Sequence, residues 1–275
     1  MQSFGDQRSP AGGQPAPIPL ASRVRADKSG YRIRLDRIGY DMYYGGQGSY
    51  LYQPIPKCAC TTIKTLLLQT EGLPVDANSW RRHQKEYNRF PGIDHLTIPE
   101  QLDIFEGRTN TFKFVIVRNP YNRLASSFHD KIRITQTEYI IREIKRSAVQ
   151  HGIALSDPIT FEEFVSVVSR QSLQEMNPHW RLQYYEGRFE VVKFDFIGRM
   201  EAMPSDLVYV LEQIRAPEAL INKVNERHNM TASSSDLWET VSSEVHRQFL
   251  TTFDIDFDIL HYPRSLAHPL ALNYA

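Results

Sequence analysis

Cysteine is scarce in this sequence, net charge is absent and no long apolar run occurs, and each shortage removes a class of function. Only two cysteines stand among 275 residues, Cys58 and Cys60. They lie too close together for an ordinary structural disulfide, which points to a reducing compartment or indifference to one. With 32 basic and 32 acidic residues the formal charge is zero, so the chain has no polycationic character suited to general nucleic-acid binding. Any anion site must therefore be local. No apolar stretch approaches the roughly 20 residues that a membrane span needs, and MQSFGDQRSP lacks the apolar core of a signal peptide. The expectation is a soluble, cytoplasmic protein with no transmembrane segment, with peripheral contact to a membrane left open.

What is present suffices for one substantial core: 41% of the residues are hydrophobic. Residues 1–30 are rich in Pro, Gly, Ala, Ser and Gln and are expected to be a disordered tail. One domain is expected over 31–262, followed by a tail at 263–275. The alternation in Tyr31 to Tyr44 suits an edge strand or hairpin, and Tyr50 to Ile55 a buried strand. Helical spacing follows from Thr62 to Gln69, with Gly72 as its stop. A helix is expected from near Pro99. Phe112 to Val117 (FKFVIV) is a run of the kind expected for a buried parallel strand. Asn119 and Pro120 then make a good N-cap and first helical residue, for a helix to about Ile134. Further helices are expected over Thr137–Gln150, from Thr160 with a Thr160/Glu163 capping box, over Pro204–Ile214 and over Ser235–Phe253. Glu190 to Ile197 is a strand candidate ended by Gly198. Strands alternating with helices argue for an α/β fold with a parallel sheet and helical C-terminal additions.

The chemistry concentrates at two strand-to-helix junctions. At the first, Pro56-Lys57-Cys58-Ala59-Cys60-Thr61-Thr62 joins a strand to a helix start, where free N–H groups and the helix dipole suit a phosphate or sulfate group. A Walker A loop would need GxxxxGK[ST], with the Lys just before the helix. Here Lys57 comes first and no glycine occurs, so the pattern fails that test; alone, it is equally a strand-helix turn with a solvated Lys. A zinc or redox role for Cys58 and Cys60 lacks a second ligand pair, and no metal site is expected. At the second junction, Arg118 ends a strand and Ser126 lies eight residues on, two turns into the helix. The crevice beyond the carboxyl ends of parallel strands is where open α/β sheets bind ligands, so Arg118 and Lys57 are aimed at the same place. A guanidinium fork and a hydroxyl suit a phosphate monoester. From Lys113 to Arg146 there are eight basic residues against three acidic ones. A solvated helix face accounts for Arg142, Lys145 and Arg146, but not for Arg118.

Two anion sites at neighbouring strand ends suggest a ligand with two separated anionic groups, and here the sequence resembles a known family. Residues 56–64 (PKCACTTIK) resemble the 5′-phosphosulfate-binding loop, and residues 117–126 (VRNPYNRLAS) the 3′-phosphate-binding segment, of carbohydrate sulfotransferases that use 3′-phosphoadenosine-5′-phosphosulfate (PAPS). The likeness is to the chondroitin, dermatan and HNK-1 type branch. Asn177-Pro178-His179-Trp180-Arg181 and Phe194 to Glu201 resemble two further segments of that family. Asn119 departs from the acidic residue more common after the Arg, and the C-terminal aromatic pattern around Asp256, Phe257 and Tyr262 is only partly kept.

The resemblance implies a P-loop-like central sheet, PAPS as donor without a metal, and a hydroxyl of a carbohydrate or glycolipid as acceptor. It puts Lys57 at the bridging oxygen of the phosphosulfate, with Cys58, Ala59, Cys60, Thr61 and Thr62 forming the loop around it. Arg118 and Ser126 would hold the 3′-phosphate. His95 lies where some carbohydrate sulfotransferases place a catalytic His; His179, His83 and Glu100 are its competitors as base. A P-loop kinase-like phosphotransferase and a non-catalytic nucleotide- or glycan-binding protein are the alternatives, the former disfavoured by the missing glycines.

Overall fold

A computed structural model describes residues 41–78, 90–225 and 235–266 of the chain. The expected N-terminal tail, residues 31–40 of the expected edge strand, His83 and residues 267–275 of the expected C-terminal tail lie outside them. Four strands form one sheet in the order β1 (Tyr43–Gly45), β2 (Tyr50–Gln53), β3 (Phe112–Val117) and β4 (Phe196–Arg199). β2, β3 and β4 run parallel, whereas β1 pairs antiparallel with β2. Gly46, Gln47 and Gly48 make that hairpin connection with φ of 58°, 53° and 91°, a path that favours glycine. The sheet is therefore parallel at its centre with an antiparallel edge.

Helices cover both faces because β3 alternates. Val115 and Val117 enter one core with Tyr121, Phe128, Phe164, Trp180, Trp238 and Phe249; Phe114 and Ile116 enter another with Tyr52, Ile63, Leu67 and Leu211. The second core is closed by α1 (Cys60–Thr70), α7 (Ser205–Gln213) and α8 (Glu218–Asn225). The first is built from α3 (Pro120–Phe128), α4 (Glu138–Gln150), α5 (Phe161–Val168), α6 (Gln183–Glu186) and three C-terminal helices. These are α9 (Ser235–Glu239), α10 (Ser243–Thr252) and α11 (Asp254–Ile259). A short α2 (Ile98–Phe105) precedes β3, under the capping box of Thr97 and Glu100.

Local signals and observed elements agree closely where the signal is local. Phe112–Val117 is the expected strand, Asn119 Oδ1 accepts the Tyr121 N–H at 2.9 Å, and Thr160 and Glu163 form their capping box. Several expectations differ. The strand candidate Glu190–Ile197 is displaced to Phe196–Arg199, because Asp195 is spent on the start of β3: its carboxylate accepts from the Lys113 N–H and Nζ, both at 2.7 Å. The single helix expected over Ser235–Phe253 is broken, since Ser242 is extended and its N–H donates to Glu162 Oε1 at 3.0 Å. After α3 the chain continues as a π-helix over His129–Ile134 rather than as regular α-helix.

Gly198, expected as a stop, lies inside β4 opposite Ile116. A Cβ there would meet Ile116 Cδ1 and, at 2.9 Å, Phe196 Cε1. Gly198→Ala is expected to destabilise the fold by about 1–3 kcal/mol through overpacking, read as a lower urea midpoint at unchanged m-value.

Candidate active site

All three parallel strands deliver their carboxyl ends to one edge of the sheet, since Gln53 pairs with Val115 and Val117 with Arg199. The chain leaving β2 turns tightly: Cys58 N–H donates to Ile55 O at 3.2 Å, and Lys57 and Ala59 take φ of 69° and 56°. Left-handed backbone at two non-glycine residues stores strain of order 1 kcal/mol each, which the surrounding contacts must hold. Ala59 is also the N-cap of α1 and offers no side-chain cap, so the first turn of the helix begins directly at the loop.

Arg118, the residue after β3, comes to this loop. Its Nη1 donates to the Lys57 carbonyl at 3.3 Å, while its Nε is buried without a hydrogen-bond partner among the described residues. A buried, unpartnered guanidinium N–H is costly unless a ligand completes it. The backbone of Arg118 is held on both sides by Gln183: the amide Oε1 accepts its N–H at 2.9 Å and Nε2 donates to its carbonyl at 2.7 Å. The same Oε1 accepts from Cys58 Sγ at 3.3 Å. Gln183 is in turn seated by Asp256, whose carboxylate accepts the N–H groups of Gln183 and Tyr184 at 2.7 and 2.9 Å. Burial raises Asp256 to about 6 against these bonds. Glu201 supplies an acid near position 119: its Oε1 accepts the Asn119 N–H at 2.8 Å and its Oε2 the Tyr262 hydroxyl at 2.8 Å.

Arg123 is an internal clamp, not a ligand of the site. Only 1% exposed, it donates from Nε to Pro56 O at 3.0 Å, from Nη1 to Arg181 O at 2.7 Å and from Nη2 to Pro178 O at 3.0 Å. Ser127 Oγ adds a bond to His179 O at 2.7 Å. Beyond α3, Asp130 accepts from Lys57 Nζ at 2.8 Å, from Lys131 Nζ at 3.1 Å and from the Thr135 hydroxyl at 2.8 Å. Burial would raise its pKa, but the bonds from Lys57, Thr135 and Lys131 hold it well below the usual carboxylate range.

The structure thus brings Lys57, Cys58 and Arg118 together. Ser126 sits half-buried on α3, and its hydroxyl makes no hydrogen bond within the described residues. Thr61 and Thr62 line a cleft of 320 Å³ with Thr65, Gln69 and Lys223. Cys58 is fully buried, and burial pushes its thiol up to about 12 despite the nearby Arg123 and Arg118, so it is neutral and packs. Cys60 opens α1 at the loop. His95 is exposed, its Nδ1 2.7 Å from Gly92 O and its ring beside Tyr44. None of these contacts reaches the loop. Gln183, Asp130 and Glu201 were not singled out from sequence as site residues; a lone carboxamide or carboxylate carries no periodic signal, and their bonds to Cys58, Lys57 and Tyr262 span 125, 73 and 61 positions.

The chain is similar in sequence to known proteins over most of its length. The profile of the Sulfotransferase family matches residues 42–263. Carbohydrate sulfotransferase 14 of Danio rerio is 26% identical over 225 residues, covering 78% of this chain and 60% of that protein. The human carbohydrate sulfotransferase 14 is 27% identical over 78% of this chain and 58% of its own length. Human carbohydrate sulfotransferase 9 is 28% identical over 76% and 47%. The matched part thus spans about half to three-fifths of these relatives. No solved structure matches the chain. No helix among the described residues is long and apolar enough to cross a membrane.

Because the Asp130 carboxyl is lowered in the folded state, its contribution to stability is complete above its unfolded value of about 4 and is lost as pH falls below that. Urea midpoints of wild type and Asp130→Asn should differ by a constant amount above about pH 5 and converge in more acid solution.

Proposed function

This chain belongs to the Sulfotransferase family, and from that premise we propose that it moves a sulfuryl group from PAPS to a hydroxyl of a carbohydrate or glycolipid. The observation that carries the proposal is the bond from Arg118 Nη1 to the Lys57 carbonyl, which joins two anion-binding segments at adjacent strand ends. One cation faces each end of a doubly anionic donor, a match that a simple adenine nucleotide would leave half used.

When bound, the donor supplies a sulfuryl group on a phosphate leaving group. Lys57, with the first-turn N–H groups of α1 and the hydroxyls of Thr61 and Thr62, holds the phosphosulfate end and neutralises charge on the bridging oxygen. Cys58, Ala59 and Cys60 shape the loop backbone that approaches it. Arg118 and Ser126 hold the 3′-phosphate, and the unpartnered Arg118 Nε is the donor group that fits it. Lys57 must then leave Asp130, its partner at 2.8 Å, or share it with the donor. The residues need no metal for this charge stabilisation. The family resemblance nominates His95 as a base, but the contacts of this exposed ring are with Gly92 and Tyr44, away from the Lys57 loop.

Calorimetry without magnesium should show 3′,5′-ADP binding, and Arg118→Ala should weaken it by about 10–150-fold, the cost of lost bonds to a charged group. Lys57→Ala should lower sulfate transfer by about 10²–10³-fold. Magnesium-dependent preference for ATP, or an Arg118→Ala variant that binds and transfers normally, would instead favour the kinase-like alternative or a different 3′-phosphate site.

A further inference from the structure

The transfer needs a group that takes the proton of the acceptor hydroxyl, and one imidazole is prepared for that task by its surroundings. Asn177 Nδ2 donates to Glu143 Oε2 at 3.2 Å, and its Oδ1 accepts the His179 backbone N–H at 3.2 Å. A carboxylate only accepts and a backbone N–H only donates, so the amide can be oriented one way alone. His179 Nδ1, 2.7 Å from that Oδ1, must therefore carry the proton. In the neutral ring Nε2 is then a free lone pair. It has no hydrogen-bond partner among the described residues, and it is not among their sealed, unsatisfied atoms.

The segment bearing this ring is unusually well held. The His179 carbonyl accepts from Ser127, and Arg123 grips Pro178 and Arg181 on either side. One turn beyond Ser127 the chain presents Asp130, which pairs with both Lys57 and Lys131. The charged groups acting on the ring are Lys131, Lys57, Arg123 and Asp130, with Glu143 behind Asn177. Burial first, and then the three cations, holds its pKa down to about 3, so the ring is neutral at physiological pH. Anion binding at Lys57 offsets part of that positive field and makes the imidazole more basic when the donor is present.

We infer that His179 is the general base of the transfer, its tautomer set by Asn177 so that Nε2 receives the acceptor proton. This rests on the sulfotransferase reading above. The acceptor O–H bond breaks and its proton passes to Nε2, while the acceptor oxygen forms a bond to sulfur. The bridging S–O bond of the donor breaks with its electron pair left on the phosphate oxygen, beside Lys57. A sulfate ester, 3′,5′-ADP and an imidazolium result, and the imidazolium returns its proton to solvent.

The test uses the full chain and 35S-labelled PAPS, following transfer to a panel of glycans and to water. His179→Gly should lower turnover by about 10²–10⁴-fold, keep 3′,5′-ADP affinity within about twofold, and recover turnover when imidazole is added. A variant that keeps turnover within about tenfold, or that loses it without recovery by imidazole while still binding 3′,5′-ADP, overturns the assignment. So does loss of turnover in His95→Gly with recovery by imidazole there. Should His179→Gly fail to bind through misfolding, 15N spectra of wild-type imidazoles decide: the Nδ1–H tautomer supports the inference and Nε2–H refutes it. A wild type that neither binds 3′,5′-ADP nor turns over PAPS removes the sulfotransferase reading itself, and the base with it.

Discussion

One guanidinium holds together three backbone segments that the sequence keeps far apart. Arg123 reaches the carbonyls of Pro56, Pro178 and Arg181 from the middle of α3, and almost none of it meets water. Each such bond to a charged group is worth about 1.5–3 kcal/mol, but burial of the cation takes much of that back. The gain is in geometry more than in stability. The Lys57 loop, the His179 segment and the start of α3 are indexed to a single planar group. A strained loop at Lys57 and Ala59 persists because it is over-determined from outside, by this clamp and by the helix it opens.

Electrostatics follow the same plan. Three cations, Lys57, Lys131 and Arg118, converge near one sheet edge in a chain with no net charge. Among the described residues, Asp130 pairs directly with two of them. The site is thus held at a local excess of positive charge, partly compensated by a carboxylate that can be displaced, an arrangement suited to a ligand that arrives with its own negative charges. Glu201 fixes the start of α3 through Asn119 and ties it to the C-terminal Tyr262.

Legibility from sequence divided along a physical line. FKFVIV could be recognised as a strand because a parallel strand buried on both faces is apolar almost throughout, Lys113 being its one charge, and Asn119-Pro120 as a helix start because capping is settled within three residues. The convergence of Lys57 and Arg118 followed from the rule that places ligands at the carboxyl ends of parallel strands. What escaped was decided at long range. Val191 and Val192 look like strand residues, yet Asp195 is taken up by Lys113 before the ladder begins. Ser242 interrupts a helical pattern because Glu162, from another helix, binds its N–H. Asp130 was hidden by its setting in a π-turn, which alters the spacing that an α-helical reading assumes.

The pairing of Gln183 with Arg118 carries a consequence for how the sheet ends. A carboxamide has one donor and one acceptor in the spacing of a peptide group, and here it bonds both the N–H and the C=O of a single residue. That is the pattern of a neighbouring strand. β3 therefore has one more rung than its backbone partners provide, supplied by a side chain, and Arg118 is as firmly set as a residue inside the sheet while its guanidinium stands outside it. A glutamate at this position would keep the acceptor and lose the donor, turning a rung into a repulsion between oxygens.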